Sequence, residues 1–155
     1  MENATPTING KPVNAMPCCG IFAAAMAADV EPQIVFDAYK AEYNLSGRWK
    51  GGTQSKNLRD LMRKKFGVNV DVEYMMSLNK RETDKYDAGN RTIRKWYNDH
   101  AIPSATYIVQ SRGHIFTVKE GRYIDQWHNE PVEQAKGSRA KVLQVWRILN
   151  ARKAA

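Results

Sequence analysis

Three residues in this chain have the chemistry of a nucleophile, a base and an acid that orients the base: Cys19, His114 and Asp125. Cys19 follows Pro17 and Cys18 and opens the run GIFAAAMAA, whose alanines are the best helix formers. A thiol at a helix start meets unpaired backbone N–H groups and the positive end of the helix dipole, and both favour the thiolate. The same N–H groups can donate to an oxyanion developing on an attacked carbonyl. Taken alone, a cysteine before an alanine-rich helix usually serves packing.

His114 and Asp125 lie in GHIFTVKEGRYIDQW, residues 113–127. With Glu120-Gly121 as a two-residue turn, Lys119 pairs with Arg122, Val118 with Tyr123, Phe116 with Asp125 and His114 with Trp127. Side-chain alternation then places His114, Phe116, Tyr123, Asp125 and Trp127 on one face. Diagonal neighbours on a face sit roughly 7 Å apart, so the Asp125 carboxylate can hold one imidazole nitrogen and leave the other free as a base. A register slip of one residue would put the two on opposite faces. Together with Cys19, the pair forms the Cys–His–acid combination of nucleophilic catalysis. The remaining histidines have plainer roles. His100 ends a helix, where the dipole favours it, and His128 falls in a polar turn.

The elements that must position these residues follow from periodicity. Residues 1–16 carry Pro, Gly, Asn and Thr without period, so they are expected to be a flexible N-terminal arm, with a single domain over residues 17–155. A buried helix is expected from Pro17 to Ala28, and a second from Pro32 with the stripe Ile34, Val35, Ala38 and Tyr39. SGRWKGGT reads as a loop whose Thr53 caps a third helix, marked by Leu58, Leu61, Met62 and Phe66 and ended by Gly67. Val68, Val70 and Val72 alternate as a strand, residues 77–90 read as a loop, and Asn90 to His100 has helical spacing. Strands are expected at Ala105–Gln110, His114–Lys119, Arg122–Trp127 and Val142–Leu149. The fold class is therefore α+β, with N-terminal helices and a C-terminal antiparallel sheet.

Composition narrows the function classes. The 155 residues are 43% hydrophobic with four tryptophans, which excludes a wholly disordered chain. The apolar run at Gly20–Ala28 is about half the roughly 20 residues of a spanning helix, so no membrane partner is expected. Glu2 and the absence of a basic stretch ahead of that run argue against a signal peptide. The two cysteines are adjacent, unsuited to bridging each other, and no metal-ligand spacing accompanies the three histidines. No metal site, no cofactor and a reducing compartment are expected. The formal net charge of +8 is spread without a block of five like charges and reads first as a solvated surface. Nucleic acid has one weak candidate segment, in which Trp146 lies among Lys141, Arg147, Arg152 and Lys153.

Cys19 opening a helix with Ala23 and Ala27, the loop Gly47–Thr53 ending in Gly-Thr, and GHxxxVxxGxxxD (Gly113, His114, Val118, Gly121, Asp125) resemble the small papain-like proteins encoded by bacteriophages. The resemblance runs from about Asn14 to Ile148. It implies a papain-like fold, with the Cys19 helix packed on a sheet carrying His114 and Asp125. It implies Cys19 as nucleophile, His114 as base and Asp125 as orienter. Such phage proteins often have Asp immediately before the nucleophile, where this chain has Cys18. Papain-like peptidases usually carry Gln about six residues before it. Val13 has that spacing here, which leaves Asn14 as the side-chain candidate for the oxyanion.

The expected function is a cysteine hydrolase cleaving a peptide or isopeptide bond of a protein substrate in the host cytoplasm, or in the virion. A basic surface suits an acidic substrate, and Trp49, Tyr123 and Trp127 are the candidates to line its cleft. The alternative is an inactive papain-fold protein that sequesters a host protein or nucleic acid, favoured by the charge and by the missing Gln.

Overall fold

The computed structural model describes residues 5–43, 45, 49, 51–75 and 91–150. The expected loop at 77–90 lies outside these residues, as do Gly47, Arg48 and Lys50 of the Gly-Thr loop and the basic Arg152 and Lys153.

Four helices and a six-stranded antiparallel sheet make a mixed α+β fold among the described residues. The helices are α1 (Cys19–Ala28), α2 (Pro32–Glu42), α3 (Ser55–Phe66) and α4 (Ile93–His100). A small hairpin, β1 (Thr7–Ile8) and β2 (Lys11–Pro12), precedes them. The main sheet uses β3 (Asn69–Met75), β4 (Thr106–Ser111), β5 (His114–Lys119), β6 (Arg122–Ile124), β7 (Asn129–Pro131) and β8 (Gln144–Asn150). Its order is β3-β8-β4-β5-β6-β7, so β5, which carries His114, sits away from the sheet edges.

Each face of the sheet buries its own core. Ile108, Ile115, Trp146 and Ile148 pack with α1, α2, α3 and the small hairpin. Tyr107, Val109, Phe116, Val118 and Val145 pack with Ile93 and Trp96 of α4 on the other side. The strict alternation along β4 and β5 is what lets one strand serve both cores. Helix α1 is buried on nearly all sides, and its run of alanines lets α2, α3 and β5 approach it closely. Among the described residues no single helix is long and apolar enough to cross a membrane.

Several expectations are corrected. Residues 5–16 are not a flexible arm. Asn9 and Gly10 take φ of 52° and 79°, the left-handed pair a tight hairpin turn requires, and Ile8 and Val13 are each 1% exposed in the core. The Asn-Gly turn signal was present, but the strands it joins are too short to show a period. The stripe of α2 is Val35, Phe36 and Tyr39, while Ile34 faces out. Gln54, not Thr53, precedes α3 at its cap position, and no side chain caps it. Thr53 instead lies so close to α1 that a Cβ on Gly20 would overlap its Oγ1. Thr92 caps α4 by accepting from the Lys95 N–H. Strand β6 ends at Ile124, because the chain turns at Asp125 and returns as β7, a strand the periodicity did not reveal. Trp146 is 1% exposed with the Arg59 guanidinium over its ring, so it offers no face to a nucleobase.

Candidate active site

The hairpin turn positions His114. Glu120 and Gly121 both take positive φ, and the ladder pairs Lys119 with Arg122, Val118 with Tyr123 and Thr117 with Ile124. That register carries Asp125 back alongside the start of β5. His114 Nε2 and Asp125 Oδ2 are 2.9 Å apart, which leaves Nδ1 as the ring's free nitrogen. Asp125 is 6% exposed, and its other oxygen accepts from the backbone N–H of Trp127 at 2.9 Å and of His128 at 2.7 Å. His128 Nδ1 also lies 2.9 Å from that oxygen.

Burial pushes the Asp125 carboxyl up, but the hydrogen bonds from His114, Trp127 and His128 outweigh it and hold the group down at about 2. The carboxylate in turn raises His114 to about 9, first through its hydrogen bond and then with help from the Cys19 thiol. A ring held that basic is an imidazolium at neutral pH, with a proton to give.

Helix α1 brings the thiol to this ring. Cys19 is its first residue and is half-buried. Burial is the largest single influence on the thiol and raises its pKa. Hydrogen bonding to His114, the backbone groups of Ile115 and Gly20 and the His114 charge together bring it below its ordinary 9.0. Cys18 has the opposite environment. It is fully buried, donates to the Val13 carbonyl, and burial beside Cys19 pushes its thiol up to about 11. Of two adjacent thiols, Cys19 is the partly exposed one and the one whose pKa is lowered.

No family model, curated protein or solved structure matches this chain.

The other site candidates separate. Trp127 is 57% exposed, stacks at 6.0 Å on the His114 ring and donates from Nε1 to the Asn14 carbonyl, so it lids the histidine. Trp49 stands on the flank of Cys19, donating from Nε1 to the Pro17 carbonyl at 2.6 Å. Tyr123 does not line a cleft. It is 3% exposed and stacks on Phe116 at 4.1 Å beneath the site, because the hairpin face it shares with His114 is covered by α4 and the turns that follow β7. Asn14 engages Trp127 through its main-chain carbonyl, and among the described residues no hydrogen bond joins its side chain to the site. Helix α1 begins at Cys19, so backbone N–H groups of its first turn lie beside the thiol, and the Gly20 backbone is hydrogen-bonded to it.

Two residues escaped the sequence reading. Gln126, 7% exposed, donates from Nε2 to the carbonyls of Met16 (2.9 Å) and Val13 (3.3 Å) and lies 3.6 Å from the Cys18 sulfur. It fastens the turn carrying Asp125 to the segment that leads into Cys19. Thr117 donates from Oγ1 to the Ala23 carbonyl of α1 at 2.7 Å, joining the helix of the nucleophile to the strand of the base. Neither had a sequence signal, since a Gln after an Asp and a Thr in a strand are both commonplace.

Proposed function

We propose that the protein is a papain-like thiol hydrolase that cleaves a peptide or isopeptide bond. One observation carries this reading: a lowered Cys19 thiol at a helix start meets an imidazole that a buried, fully bonded carboxylate holds in place. The Cys19 helix packed on the sheet of His114 supports the papain-like arrangement, as does the resemblance to phage proteins, and with it goes the proposal of a substrate in an infected host.

The chemistry follows from the two protonation states. The Cys19 thiolate attacks the carbonyl carbon, and the carbonyl oxygen takes negative charge facing the α1 N–H groups. As the C–N bond breaks, the proton on His114 passes to the departing amine and a thioester remains. The now neutral His114 takes a proton from water, whose oxygen attacks the thioester. The C–S bond breaks, the carboxylic acid product leaves and the thiolate–imidazolium pair is restored. Asp125 stays ionised throughout, fixing the ring and stabilising its charge. The net charge of +8 favours encounter with acidic proteins.

The test is alkylation of the whole protein by iodoacetamide at pH 7, with the adduct located by mass spectrometry, alongside hydrolysis of a mixed peptide pool. Cys19 reacts about tenfold or more faster than glutathione, as a thiolate held below its ordinary pKa requires. Hydrolysis disappears in Cys19→Ala. An ordinary thiol rate, with a stoichiometric host complex that survives Cys19→Ser, would instead make the protein a binding module.

A further inference from the structure

A cavity of about 620 Å³ opens beside the start of α1. Its apolar walls are Ile8, Met16, Pro17, Phe36 and Trp49. Ile8 and Phe36 are fully buried and form the floor. The Trp49 ring meets Phe36 edge-on at 5.1 Å and 66°, and its one polar atom is already given to the Pro17 carbonyl. The Trp49 wall is therefore held in place before any ligand arrives, so binding costs little ordering.

The polar residues at the cavity are Asn9 and Lys11. Asn9 is engaged twice by Gln33 of α2, through its N–H at 2.6 Å and its Oδ1 at 3.0 Å. Lys11 is exposed, and no carboxylate among the described residues pairs with it. Among the described residues, then, the cavity is an apolar box with the Lys11 cation at its mouth.

Its place relative to the nucleophile is set by the backbone. Pro17 is two residues from Cys19, a span of at most about 7 Å. Gly51, at φ 94°, packs so tightly on Pro17 that a Cβ there would come within 2.5 Å of the proline ring, which joins the cavity wall to the edge of the site. A departing amine must lie by His114, which supplies its proton. The cavity is lined by none of Cys19, His114, Asp125 and Trp127, and it meets the site through Pro17.

Building on the thiol-hydrolase reading, we propose that this cavity is the specificity pocket for the acyl residue of a peptide substrate, taking a large aromatic side chain from a residue next to an acidic one. Aromatic rings suit it because Phe36 and Trp49 present an edge and a face for stacking. The acidic neighbour supplies the counter-charge for Lys11.

The probes are acetyl-Glu-Phe, acetyl-Glu-Ala and acetyl-Lys-Phe acyloxymethyl ketones, applied to the full chain. In each, the Cys19 thiolate displaces the acyloxy group as a carboxylate and forms a thioether. The expected result is inactivation about 30-fold or more faster by Glu-Phe than by Glu-Ala, in the range that apolar pockets deliver. Lys11→Glu, an exposed change that spares the core, lowers the Glu-Phe over Lys-Phe preference about tenfold. Rates for Phe and Ala within threefold of each other, or a Lys11→Glu variant with unaltered preference, would overturn the pocket while leaving the hydrolase intact. If Cys19 proves an ordinary thiol, calorimetric binding of acetyl-Glu-Phe-amide to Cys19→Ala decides the pocket separately. Binding that weakens in Lys11→Glu upholds it, and no difference between the Phe and Ala peptides rejects it.

Discussion

The Thr117 hydroxyl donates a 2.7 Å hydrogen bond to the Ala23 carbonyl, one turn inside the helix that Cys19 opens and midway along the strand that His114 opens. Both partners are fully buried. The helix and the strand are thereby fixed in translation as well as in contact, which apolar packing of alanines does not achieve alone. Thr117→Val keeps the shape and removes the bond. It lowers unfolding free energy by about 1–2 kcal/mol in urea titration and slows Cys19 alkylation several-fold, because the thiol and ring lose their common register.

His114→Ala leaves Cys19 buried without its partner. Since burial is the strongest influence on the thiol and raises its pKa, the variant thiol titrates at or above the ordinary 9.0. Thiolate absorbance near 240 nm, followed against pH, reports the shift. A thiol that still ionises below that value would show that the helix start, and not His114, activates it.

Asp125→Asn removes the main cause of the raised His114 pKa, so the ring falls back toward 6.5 and the imidazolium population at pH 7 drops. Histidine NMR titration reads this directly. The sign for stability follows. In the native protein the raised His114 stabilises fully below pH 6.5, and that contribution is lost as pH rises through about 9. The depressed Asp125 stabilises fully above 3.8, and that contribution is lost as pH falls toward about 2. From these two groups the stability plateau lies between pH 3.8 and 6.5, and its alkaline edge disappears in the variant.

Gln126→Ala strips a buried donor from the carbonyls of Val13 and Met16. The cost is about 2–3 kcal/mol, since buried acceptors lose their partner. The small hairpin before α1 then opens first, and limited proteolysis cuts between residues 5 and 16 at a rate the native chain does not show.

Ile8→Ala tests the same segment from its apolar side. A fully buried isoleucine truncated to alanine costs about 2–5 kcal/mol in chemical denaturation. A loss below about 0.5 kcal/mol, the ordinary scale of a surface change, would return residues 5–16 to the status of a loose arm.

What the sequence determined by itself was local. The alanine run dictated a helix ending at Ala28, expected from Pro17 and found from Cys19, and Glu120-Gly121 dictated the turn whose register brings Asp125 to His114. Both depend only on neighbours within a few residues, where propensity and alternation act. Tertiary structure decided what those rules do not reach. It gave Cys18 and Cys19 opposite environments, because burial depends on which thiol the rest of the chain covers. It sank Tyr123 beneath the site, since alternation assigns a residue to a face without saying what packs on that face. It folded residues 5–16 against α2 and the core, where Ile8 and Met16 complete a cavity with Phe36 and Trp49. Contacts between residues so far apart in the chain leave no period, and only close packing determines them.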